Sequence, residues 1–213
     1  NYKRRMELFL MSFGALFSVI NPLGTLPIFI GLTKDKERKA TNETAIWTAV
    51  NMLIILVVSF FLGKYILYFF GITLESLKIA GGIIIASSGF ALLTGNFTKH
   101  KGMKKREKDD AFKRSDVSLT PLAIPMLAGP GSISLLITFY QENPLTSDRL
   151  ILVGAIILTC SMTAILLISS NLIVKTLGAS GINALSRIIG FVVIAIGVEY
   201  ILSTLLFLVA TRT

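Results

Sequence analysis

Two short stretches in this chain hold residue types that could bind a small charged solute. The first is Ile20-Asn21-Pro22-Leu23-Gly24-Thr25-Leu26-Pro27, inside an apolar segment running from about Met6 to Leu32. Pro22 has no N–H and its ring clashes with the preceding turn, so a helix must break there. Asn is a preferred N-cap and Pro a preferred first helical residue, so the same pair restarts the helix. The restarted helix turns unpaired N–H groups and a positive dipole end towards the break. That suits an anionic group such as a carboxylate, with Asn21 adding an amide and Thr25 a hydroxyl. The competing reading is a proline kink absorbed by packing, which membrane helices tolerate.

The second stretch is Gly129-Pro130-Gly131-Ser132, which interrupts the apolar run from about Val117 to Tyr140. Pro22 and Pro130 are 108 positions apart. Gly82 and Gly190, Gly89 and Gly197, and Leu77 and Leu185 keep the same offset, and Gly71 matches Gly178 with a one-residue slip. In each half the two glycines are seven residues apart, two helical turns, hence on one face. A fixed offset of this kind marks a duplicated unit. The substrate-binding candidates are therefore Asn21, Pro22, Gly24 and Thr25 in one half and Gly129, Pro130, Gly131 and Ser132 in the other.

Glu199 is the remaining candidate, as the one carboxylate deep in an apolar segment. A charge there costs ~2.5–3.5 kcal/mol on insertion scales, so it should face the interior and be protonated, paired or hydrated. That makes it a candidate proton carrier, or a partner for a substrate ammonium, against the alternative of a neutral packing residue. Asn51 and Asn171 are expected to hydrogen-bond neighbouring helices.

Long membrane spans must position these groups. Of 213 residues 53% are hydrophobic and 15% charged, with mean hydropathy +0.74. Uncharged runs of this length read as transmembrane helices. Six are expected, over about 8–32, 44–70, 74–94, 118–140, 150–174 and 188–209. The first is too long for a signal-peptide core and lacks a small-residue cleavage site, so it counts as a span. Three spans per half is an odd number, so the two halves cross in opposite senses. The expected fold is all-α, two inverted three-helix repeats over 1–98 and 117–213, with helices 1 and 4 broken near mid-membrane and a charged loop over 99–116 between them. The stripe of Gly82, Ala86 and Gly89 lets another helix approach closely; it can join the two repeats or two protomers.

The net charge of +9 is placed for topology, not for nucleic acid. Loops 33–43, 95–117 and 175–187 carry 14 of the 21 basic residues, which puts them in the cytoplasm and both termini outside, with Lys3-Arg4-Arg5 opposing. Cys160 and His100 are the sole residues of their types. No intramolecular disulfide can form, and no metal site or cofactor is expected. The absence of G-x-S-x-G, H-E-x-x-H and a P-loop argues against a hydrolase and against ATP-driven transport by this chain alone.

The whole chain resembles the MarC family of integral membrane proteins, related to the SnatA-type neutral amino-acid transporters. The resemblance rests on Asn21-Pro22-Leu23-Gly24-Thr25-Leu26-Pro27-Ile28-Phe29, Ile79-Ala80-Gly81-Gly82-Ile83, Pro121-Leu122-Ala123-Ile124-Pro125 and Ala128-Gly129-Pro130-Gly131-Ser132-Ile133, in that order. It implies transport of small neutral amino acids of the glycine, alanine and serine type across a bacterial or archaeal cytoplasmic membrane, by alternating access. It carries over Asn21-Pro22 and Gly129-Pro130-Gly131 as motif positions and does not carry over Glu199, where Gln is the family's more usual residue. Coupling to protons or sodium, and homo-oligomerisation, stay open. A channel or exporter for another solute, or a non-transporting scaffold, is the alternative function.

Overall fold

The computed structural model describes residues 2–95 and 117–211; the charged loop 99–116 and His100 lie outside them. The described residues form seven α-helices and one irregular segment. These are α1 (Tyr2–Ile20), α2 (Pro22–Thr33), α3 (Arg38–Phe70), α4 (Leu74–Leu93), a wide-turned π-type segment (Ser118–Leu127), α5 (Pro130–Glu142), α6 (Thr146–Ile168) and α7 (Ser170–Ala210). Five stretches are long and apolar enough to cross a bilayer, Tyr2–Thr33 counting as one. The π segment and α5 make a sixth if taken together, bent by 64°. Many large side chains face outward, among them Trp47, Tyr65, Tyr68, Phe69 and Phe70, as the outer wall of a lipid-embedded bundle requires.

Lipid is as apolar as leucine, so packing and close approach hold such a bundle together. The tightest contact joins α4 to α7. A β-carbon on Gly82 would lie 2.6 Å from the Gly197 carbonyl oxygen, and one on Gly89 would lie 2.6 Å from that of Gly190. The neighbours are backbone and cannot swing aside, so only glycine fits. The two helices are antiparallel, and the glycine stripe joins elements of one chain.

α3 packs against α5 and α6. Ile137 fills the space a side chain on Gly63 would need. The Phe60 ring meets Tyr140 edge-on at 5.2 Å, a geometry worth ~0.5–1.5 kcal/mol beyond burial. Asn51 donates to the Ser118 hydroxyl at 3.3 Å, tying α3 to the π segment. Asn171, expected to bond a neighbour, is exposed.

Two parts of the sequence reading need correction. The first half of the expected fourth span is no regular helix. Thr120 and Ile124 are extended (φ −129° and −121°), as residues preceding prolines tend to be, and both following bonds, to Pro121 and Pro125, are cis. The expected loop 175–187 is helical. α7 starts at Ser170 and is kinked at Gly178, whose φ of 66° suits glycine. Gly71, its sequence match, also has positive φ (63°) and caps α3.

Candidate functional site

Asn21 ends one helix and begins the next. Its N–H donates to the Phe17 carbonyl at 2.9 Å, closing the last turn of α1. Its backbone is left-handed (φ 48°, ψ 66°), a conformation Asn tolerates better than most residues. Its Oδ1 then accepts the Gly24 N–H at 3.3 Å as the N-cap of α2. The Thr25 hydroxyl donates to the Asn21 carbonyl at 3.4 Å. Asn21 and Thr25 are fully buried.

This capping uses most of the donors expected at the head of α2. Pro22 has none and Gly24 is bonded to Asn21, which leaves Leu23 among the first-turn N–H groups. The Asn21 Nδ2 remains: it is buried and without a hydrogen-bond partner. A buried donor left so costs ~1–3 kcal/mol. The absence of a side chain on Gly24 makes room for it, since a β-carbon there would collide with Nδ2.

The second break is built differently. Gly129 is the N-cap of α5 and supplies no side-chain cap. The Ser132 hydroxyl donates to the Gly129 carbonyl at 2.9 Å and so does not cap either. The N–H groups of Gly131 and Ser132 therefore face the break uncapped by any side chain. Gly129, Gly131 and Ser132 are buried, whereas Pro130 is exposed. The two breaks are close: a β-carbon on Gly131 would lie 3.5 Å from Val19, two residues before Asn21, and 3.1 Å from Ile85 of α4. From there α2 runs to Thr33, beside the start of α3, and α5 runs to Glu142, beside its end.

Glu199 does not join this group. It is exposed on the outer face of α7, contrary to the expected interior position. Gly197, two residues earlier, is locked onto α4, and two residues are about 200° around a helix. The glycine register sets Glu199 level with about Ala80, six residues into α4. That is ~9 Å from the head of that helix and not mid-span.

The structure adds residues that sequence reasoning missed. A cavity of about 360 Å³ lies between α2, α4 and α7, lined by Gly24, Pro27, Ile28, Leu92, Gly95, Ile182, Asn183, Ser186 and Arg187. It reaches from the end of α4 in to Gly24, beside the first break. Asn183 and Arg187, and Ile182 and Ser186, are four-residue pairs on one face of α7. They went unnoticed because hydropathy assigned them to a loop. No group of three or more candidate metal ligands occurs among the described residues.

The family model described as "MarC family integral membrane protein" matches residues 6–209. The UPF0056 membrane protein of Methanocaldococcus jannaschii is 33% identical over 198 residues, covering 93% of this chain and 96% of its own. The UPF0056 membrane protein YhcE of Escherichia coli is 34% identical over 194 residues, covering 90% and 88%. The UPF0056 inner membrane protein MarC of Salmonella paratyphi A is 30% identical over 205 residues, covering 92% and 93%. No solved structure matches the chain.

Proposed function

We propose, for a chain that belongs to the MarC family of integral membrane proteins, secondary transport of small neutral amino acids across the cytoplasmic membrane by alternating access of two inverted three-helix repeats. The observation that carries this reading is the closeness of two interrupted stretches, with Val19, two residues before Asn21, against Gly131, and a cavity that reaches Gly24 beside the first interruption. Interrupted backbone within a membrane belongs where it lines a solute path or is buried in protein. The substrate carboxylate would sit at the uncapped head of α5 and beside the Asn21 amide. Val19 and Ile85, packed close against Gly131, would limit the room for its side chain.

The packing supports the repeat. Exchanging the halves at the 108-residue offset turns Gly82 against Gly197 into Gly190 against Gly89, which is the other close contact seen. It also turns the packing of α2 on α7 into that of α5 on α4, both of which occur. Both termini would lie outside. The inner-membrane name of the Salmonella relative supports the location. The transporter acts without altering its substrate chemically, and the coupling ion is open between proton and sodium.

Uptake of labelled glycine and alanine into liposomes holding the purified protein tests this, with and without proton and sodium gradients. Saturable uptake competed by other small neutral amino acids is expected. Folded protein that takes up neither amino acid under any gradient overturns the reading.

A further inference from the structure

We infer that the cavity between α2, α4 and α7 is a carboxylate-binding vestibule in which Arg187 recognises the substrate's anionic end before it passes to the Asn21 amide. The inference rests on the transporter reading for the identity of its ligand. It assigns the first recognition step to a charged side chain, not to a helix end.

Four observations converge on it. The cavity is large enough for a small amino acid with its water, at about 360 Å³. Arg187 is the charged side chain among the described lining residues, exposed at the cavity's edge beside exposed Asn183 and buried Ser186, and no carboxylate occurs among those described lining residues. A guanidinium takes a carboxylate through two parallel hydrogen bonds, which fixes orientation as well as charge. At the inner end the cavity touches Gly24, and directly against Gly24 stands the Asn21 Nδ2, fully buried and without a partner. Gly24 thus stands between the cavity and that free donor, and a small carboxylate would have to pass the glycine to reach it.

The remaining described lining residues are Pro27, Ile28, Leu92, Gly95 and Ile182. Among them none offers an ammonium a charged partner. The vestibule should therefore discriminate by the carboxylate and tolerate loss of the amine. The cavity borders the end of α4, at Leu92 and Gly95.

The test uses the full chain in nanodiscs of phosphatidylcholine alone, which removes anionic lipid as a rival ligand. Binding of labelled glycine is measured for the wild type, Arg187→Gln, Arg187→Lys and Asn183→Ala, with acetate and methylamine as competitors. Arg187→Gln should weaken glycine binding about tenfold or more. Arg187→Lys should retain part of the affinity, and acetate should compete where methylamine does not. Binding by Arg187→Gln within twofold of the wild type, or equal competition by methylamine, overturns the inference. If the wild type binds no glycine, the amino-acid reading fails separately, and direct acetate binding decides the vestibule. Acetate binding that Arg187→Gln abolishes upholds the carboxylate site, and no acetate binding overturns it.

Discussion

Gly82 and Gly197 meet backbone to backbone: a β-carbon on Gly82 would stand 2.6 Å from the Gly197 carbonyl oxygen, and one on Gly197 would stand 2.6 Å from the Gly82 oxygen. The contact is reciprocal, and Gly89 with Gly190 repeats it two turns away. Two helices this close exclude lipid from the seam and gain dispersion contacts along its length.

Gly89→Val should therefore destabilise the protein by ~1–3 kcal/mol or more, since nothing on the facing helix can yield. Gly14 is the control. A β-carbon there has nothing within 4 Å, and Gly14 lies inside α1, so Gly14→Ala should stabilise by ~0.5–1 kcal/mol. Thermal unfolding in detergent reads both. Equal melting temperatures for Gly89→Val and the wild type would deny the seam its structural role.

Asn21 caps α2 through Oδ1 and holds a free Nδ2, and substitution can separate the two. Asn21→Gly keeps the left-handed backbone and costs an N-cap only a few tenths of a kcal/mol, but deletes the free Nδ2. It should fold like the wild type and lose most uptake. Asn21→Ala should lose uptake and also melt earlier, by ~0.5–2 kcal/mol for the cap alone. Normal transport by Asn21→Gly would remove the amide from the substrate path.

Much of this was legible in the sequence because it depends on backbone rules. A break at Asn-Pro, a second at Gly-Pro-Gly and a glycine pair two turns apart mean the same thing in any membrane bundle. What escaped depends on where helices end and which way they face. Hydropathy stops a span at its first charges, so Arg187 was assigned to a loop, although α7 runs through it from Ser170. Glu199 was judged by depth, but its face was already implied by Gly197. Residues two apart on a helix point in nearly opposite directions, so a glycine on the packing seam puts the carboxylate outside. The irregular Ser118–Leu127 segment was hidden because apolar composition looks the same in a helix and in a proline-rich run of wide turns.

Glu199 should consequently be dispensable for coupling. It is exposed on the outer face, so Glu199→Gln should leave the pH profile of uptake unchanged to within the scatter of the assay. A flattened profile would restore the carboxylate as a proton carrier and imply that a second copy of the chain, or another partner, covers that face.

Arg4 and Asp148 are joined at 2.7 Å between the heads of α1 and α6, with Asp148 almost wholly buried and Arg4 largely exposed. Asp148 also lies in the first turn of α6, where the helix dipole favours a negative charge. An exposed arginine alone would add little, but its partner is a buried acceptor, and bonds to charged groups are worth ~1.5–3 kcal/mol. Arg4→Ala should therefore destabilise by ~1–2 kcal/mol, at or below the low end of that range because solvent screens the guanidinium. Lys3→Ala should have almost no effect, since its pairing with Glu7 is a 4.0 Å surface contact. The coupling is measured by combining Arg4→Ala with Asp148→Asn in a double-mutant cycle on unfolding free energies. A combined loss well below the sum of the single losses is expected, whereas strict additivity would mean that the two side chains are neighbours without energetic consequence.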